Sequence, residues 1–194
     1  MARTGAVDVH PVTPDRWADL ERLAGPRGAY AGCWCMWFRL SGREFEQRAG
    51  KGNRRALKGL VDEGRTPGLL AYLDGEPVGW VSVAPREEFG RIERSPKLAR
   101  VDDAPVWSVV CFYMARGRRG QGIGAALLEA AVDHAAGRGA TIVEGYPLDP
   151  EVRKITNSEA YHGLVPMFEK AGFTEVARRG GRPIMRRRVR RRSR

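Results

Sequence analysis

The chain has 194 residues, enough for one core of ordinary size and short for two. Hydrophobic residues make up 42% of it, yet no apolar run approaches the roughly 20 residues that cross a bilayer, and residues 1–10 lack the basic start and apolar centre of an export signal. Net charge is +11, but seven arginines fall within residues 186–194 and without that segment it drops to +4, so the basic excess is mainly a terminus.

Taken in chain order, residues 7–12 alternate as a short strand, and Thr13-Pro14-Asp15 supplies an N-cap, a proline at the first helical position and an acid in the first turn. That helix is predicted to reach Ala24, where Gly25-Pro26 stops it. A segment dense in aromatic and sulfur side chains follows, Tyr30 to Arg39, and then a second predicted helix over 53–63. Residues 68–73 and 77–84 flank Asp74-Gly75-Glu76 as a hairpin. A charged loop over 85–103 leads to an apolar strand at 106–114, a glycine-rich turn and an amphipathic helix over 125–136. A strand at 141–146, a helix interrupted by Gly163 and Pro166 within 158–171, and a hairpin of 173–178 with 183–189 complete the order. Strands first, then strand, helix, strand, helix and hairpin, predict an α/β (α+β) fold: one domain over 1–185, with a mixed, mostly antiparallel sheet and helices on both faces. Residues 186–194 read as a basic tail.

The turn Arg119-Gly120-Gln121-Gly122-Ile123-Gly124 carries the most chemistry. A glycine-rich turn that opens directly into a helix presents unpaired N–H groups at the positive end of a helix dipole, a cradle for phosphate. It is not a nucleotide-hydrolysing P-loop, for no Lys-Ser/Thr follows the last glycine, and Ala125 breaks the dinucleotide pattern G-x-G-x-x-G.

Arg-x-x-Gly-x-Gly between a strand and a helix resembles the pyrophosphate loop of the GNAT superfamily of acetyl-coenzyme A-dependent N-acetyltransferases. The run Phe168-Glu169-Lys170-Ala171-Gly172-Phe173 is similar to the end of that family's fourth helix and the start of its sixth strand. The resemblance covers about the last half of the chain. It implies acetyl-coenzyme A as co-substrate, with Phe112, Tyr113 and Met114 pairing to the pantetheine arm and Arg119, Gly120, Gln121, Gly122, Ile123, Gly124 and Ala125 around the pyrophosphate. A bulge in the central strand would aim a backbone N–H, from Cys111 or Phe112, at the thioester oxygen.

Departures from the family pattern fall on the acid and the base. The usual tyrosine on the fourth helix is Phe168 here, which leaves Tyr161, one helical heptad upstream, or Ser158 to serve the departing thiolate and the pantetheine arm; a thiol pKa of about 8.5 also lets the thiolate leave unaided. Glu144 is the first candidate for general base, with Asp102 and Asp103 behind it. Cys33-Trp34-Cys35 has no second pair at zinc spacing and His10, His134 and His162 are scattered, so no metal is expected. The aromatic segment 34–38, with Trp80 and Trp107, is expected to form core and one wall of an acceptor pocket.

The resulting expectation is acetyl transfer to a primary amine of a small molecule or peptide by direct attack in a ternary complex. A non-catalytic coenzyme A-binding sensor on the same fold ranks second, and a basic nucleic-acid-binding protein third. The odd number of cysteines gives no disulfide framework, and a cytoplasmic setting without a membrane partner is expected. The resemblance also admits a homodimer.

Overall fold

The structure, a computed structural model, describes residues 6–156 and 159–189. Strand β1 (Asp8–Pro11) runs through a 3-10 turn (Pro14–Arg16) into helix α1 (Trp17–Ala24), as its proline and acidic first turn predict. Thr13 is extended as an N-cap must be, yet its hydroxyl accepts from the Arg16 guanidinium (3.2 Å) rather than from a helix N–H. Helix α2 (Gly42–Gln47) is additional to the predicted elements. Ser41 starts it with a reciprocal capping box: its hydroxyl accepts from the Glu44 N–H (3.3 Å), and the Glu44 carboxylate accepts from the Ser41 N–H (3.0 Å).

Helix α3 (Lys51–Asp62) precedes the hairpin of β2 (Gly68–Leu73) and β3 (Glu76–Pro85). The charged loop contains 3-10 turns at Arg86–Glu88 and Pro96–Leu98 and a single turn of helix α4 (Gly90–Glu93). Then come β4 (Trp107–Met114), α5 (Ile123–Gly137), β5 (Ile142–Gly145), a 3-10 turn (Ala160–His162), α6 (Val165–Lys170), β6 (Thr174–Arg179) and β7 (Arg182–Arg188).

The seven strands form one sheet in the order β1-β2-β3-β4-β5-β7-β6, antiparallel throughout except for β4 with β5. Alternation along β2 divides its side chains between two cores. Leu69, Ala71 and Leu73 meet Ile123, Leu127 and Ala131 of α5 on one face, whereas Leu70, with Trp80 of β3, meets Trp17, Leu20, Leu57 and Val61 of α1 and α3 on the other. Gly79 lets α5 approach closely, since a Cβ there would stand 2.8 Å from Ile123 and 3.0 Å from Leu127.

Two irregularities of β4 open the sheet. Ser82 faces Cys111 but Val83 faces Val109, so Val110 is the extra residue of a β-bulge. Pairing with β5 ends at Val109 opposite Gly145, and the edge of β4 beyond it is left without a strand. Phe168 wedges into this divergence, fully buried and edge-on to Phe112 (ring centroids 6.2 Å apart) and Phe173 (5.0 Å). Gly145 and Gly163 make room for its ring: a Cβ at those positions would lie 2.1 Å and 2.8 Å from it.

The expected boundary between domain and tail is corrected. Arg186, Arg187 and Arg188 belong to β7, where Arg186 pairs with Glu144 (2.6 Å) and Asp102 (2.7 Å) and Arg187 with Glu129 (2.8 Å). Residues 190–194 lie outside the described residues.

Candidate active site

The turn between β4 and α5 is built as its glycines predict. Gly117, Gly120 and Gly122 adopt φ of 78°, 77° and 76°, and Gly122 is the left-handed N-cap of α5. Backbone N–H groups of residues 120–125 have no protein acceptor among the described residues; the next donor, Ala126, closes the first helical bond onto Gly122 (3.0 Å). A Cβ at Gly120 or Gly122 would meet nothing within 4 Å, so no described side chain or backbone crowds the outside of this turn at either glycine. These are the features a pyrophosphate needs: unpaired donors, no side chain over them and a helix dipole behind. Arg119 stands at the junction of this turn with the pocket described next.

The edge of β4 leads from the turn into a cavity of about 370 Å³. Register decides which of its amides face outward. Ala115 donates to Val78 of β3 (2.9 Å), and antiparallel alternation therefore turns Tyr113 and Cys111 toward β3, leaving Phe112 and Met114 to present N–H and C=O on the open side. Of the two expected oxyanion donors, Phe112 has its amide on the open edge of β4. Cys111 is corrected: its amide is directed to Ser82, and only its thiol enters the cavity.

The opposite wall is the segment 29–38 together with α2. Ala29, Ala31, Trp34 and Cys35 have φ of 68°, 48°, 46° and 52°, conformations that cost an L residue about 1–2 kcal/mol each and persist only where packing enforces them. Trp34 is buried and stacks on Trp17 (6.1 Å between centroids), whereas Trp37 and Phe38 line the cavity. Trp80 is core and Trp107 packs against the other core and His134 of α5, so the expected division into core and pocket wall falls with Trp37 and Phe38 as wall. Phe45 of α2 joins the wall, edge-on to Trp37 (5.0 Å). The Ser41-x-x-Glu44 signature was the sequence signal for this helix. Cys33, Cys35 and Cys111 all border the cavity, with the Cys35 thiol 3.6 Å from that of Cys111. Among the described residues no group of three or more His, Cys, Asp or Glu could hold a metal ion.

Tyr161 reaches the cavity by a route other than a continuous helix. It sits on the 3-10 turn Ala160–His162, and Gly163 (φ 76°) breaks the chain before α6 begins, so Tyr161 lines the pocket while Phe168 fills the core. Burial raises the pKa of the Tyr161 phenol. Ser158 lies outside the described residues.

Glu144 is corrected outright as a cleft base. It is completely buried on β5, whose four residues are all covered, and its carboxylate accepts from Arg86 Nη1 (2.7 Å), Arg186 Nε (2.6 Å) and Tyr146 Oη (2.6 Å). Asp102 is tied to Arg186 at the end of the same network and does not line the cavity, and neither does Asp103.

His134 and His162 are half-buried and neutral. Burial, reinforced by Arg182, pushes His162 down to about 3, and burial with Arg138 pushes His134 down to about 4. In the unfolded chain both titrate near 6.5, so the unfolded state takes up protons first as pH falls. Their contribution is intact above 6.5 and is lost between that value and about 4, before most paired carboxylates protonate. Urea midpoints are expected to fall steadily from about pH 7 to about pH 5, and His134→Gln is expected to flatten that slope.

This arrangement can be compared with known proteins. A model of the Acetyltransferase (GNAT) family matches residues 34–173, and the chain belongs to that family, with acetyl-coenzyme A as its co-substrate. Among solved structures it is similar to PaiA N-acetyltransferase from Thermoplasma acidophilum in complex with coenzyme A, at 14% identity over 95% of this chain and 99% of that one, TM-score 0.53. An agmatine N-acetyltransferase gives 11% identity, coverage of 94% and 99%, and TM-score 0.58. The NatC complex bound to Gag peptide and coenzyme A gives 12%, 94% and 98%, and 0.54. These likenesses carry the fold. No curated protein matches.

Proposed function

We propose that this protein transfers the acetyl group of acetyl-coenzyme A to a primary amine of a small molecule or peptide, by direct attack within a ternary complex. The observation that carries this reading is the order along one stretch of chain: the open edge of β4 and Arg119 line an aromatic cavity, and the amides at 120–125 that follow have no acceptor among the described residues. The amine nitrogen forms a bond to the thioester carbon, the carbon–sulfur bond breaks, and the nitrogen loses a proton while the sulfur leaves as thiolate or thiol. The Phe112 N–H supports the oxyanion, the role in which a preorganised donor has its largest effect. Tyr161 gives a proton to the sulfur. Transfer to nitrogen is supported by the kinship in fold with two N-acetyltransferases and with a complex bound to a peptide and coenzyme A.

Thiol release from acetyl-coenzyme A across a panel of amines tests the proposal, with the acetylated product identified by mass. Turnover with at least one amine is expected. Saturable coenzyme A binding with no thiol release from any of them would instead favour the sensor.

A further inference from the structure

The cavity's lining decides among amines. No Asp or Glu lines it among the described residues, and none of the remaining residues of the chain is acidic. Its ionisable side chains are thiols, phenols and the Arg119 guanidinium. Burial pushes the Cys33 thiol up to about 11, and the hydrogen bond to Cys111, with burial, raises that of Cys35. Neither thiol is a base at neutral pH.

Charge outside the lining points the same way. The Arg91 guanidinium covers a face of the Trp37 indole at 3.7 Å, so the aromatic surface best suited to an ammonium already holds a cation. Glu159, beside Tyr161, is engaged by Arg153 (2.6 Å) and Thr156. His162 and the half-buried Arg182 on the other side of Tyr161 supply no negative charge. Glu88, across the wall, is bound to both Arg39 (2.5 Å) and Arg65 (2.6 Å).

We propose that the acceptor is an apolar molecule bearing one weakly basic amine, such as the α-amino group of an aromatic amino-acid amide or peptide, and that polyamines and lysine side chains are rejected. The inference rests on the acetyl-transfer reading and narrows it. A site without a base needs an amine that arrives neutral. At about pH 7.5 an α-amino group of pKa near 7.7–8.0 is neutral about 200-fold more often than a lysine amine of pKa near 10.4. The second cation of a polyamine has no carboxylate to meet it and the guanidinium groups of Arg119, Arg91 and Arg182 nearby, and burying an unpaired charge is costly.

Phenylalanine amide, Nα-acetyl-lysine amide and putrescine are compared as acceptors. The first is expected to exceed the other two in kcat/KM by about 100-fold or more at about pH 7.5. Its log kcat/KM is expected to climb with pH and level off at the amine's own pKa. Tyr30→Glu places a carboxylate at the cavity on a side chain 71% exposed, where folding tolerates it, and is expected to raise putrescine turnover relative to phenylalanine amide. Equal or better turnover of putrescine or the lysine derivative by the unaltered protein would overturn the inference. Calorimetry of the same three amines on the coenzyme A complex separates this result from failure of the acetyl-transfer reading. A binding preference for phenylalanine amide without thiol release sustains the acceptor class and removes only the transfer; no preference overturns the class.

Discussion

Gly122→Glu is expected to weaken acetyl-coenzyme A binding at least 100-fold while leaving the protein folded. Gly122 sits at φ 76° with open space where a side chain would go, so the new residue meets strain of about 1–2 kcal/mol and no clash. Its carboxylate then stands beside the amides proposed to hold the diphosphate. A like charge about 4 Å away costs about 4 kcal/mol at an effective dielectric of about 20, or roughly 1,000-fold in affinity before screening. Gly122→Ala shares the strain but not the charge and is expected to stay within about tenfold of the original affinity. Calorimetric titration of both variants, with thermal melts to establish folding, reads the difference, and an unchanged affinity for Gly122→Glu would remove the diphosphate from this turn.

Glu144→Gln separates a structural carboxylate from a catalytic one. The substitution keeps the shape but leaves Arg86 and Arg186, both almost completely buried, without the anion they share. Breaking a buried pair in this way costs about 3–5 kcal/mol, which for a chain of this size lowers the melting temperature by about 6–20 °C. The folded protein is expected to retain kcat within about threefold. A general base would behave in the opposite manner, losing about 100- to 10,000-fold in rate with little change in melting temperature. Melts and initial rates on one preparation therefore distinguish the two roles.

What could be read from the sequence was local and carried by the backbone. The turn at 119–124 announces itself because three glycines alternate within five residues just before an amphipathic run, and the hairpin at 68–84 because Asp74-Gly75-Glu76 joins two apolar runs. Glu144 was misplaced for a physical reason. A strand of four residues covered on both faces has no alternation by which to tell cleft from core, and the arginines that neutralise its carboxylate lie 58 and 42 residues away. The same long-range pairing hid the role of Arg186, which composition alone assigns to a solvated end. Tyr161 was found on wrong geometry: the heptad to Phe168 assumes a continuous helix, but Gly163 breaks it, and the two rings part company. Phe45 went unnoticed because a six-residue helix has too few turns to display a period, although its capping box was in view.

The position of β7 has a consequence for how the chain is made. It follows β6 in sequence yet lies between β5 and β6, so on the ribosome β6 emerges before the strand that will hold it. Until then β5 has a bare flank, and the Glu144 carboxylate waits for one of its two counter-charges. The nascent protein thus carries an exposed sheet margin until β7 has emerged, an interval in which a chaperone's grip or a wrongly paired strand from another polypeptide would compete with the correct closure.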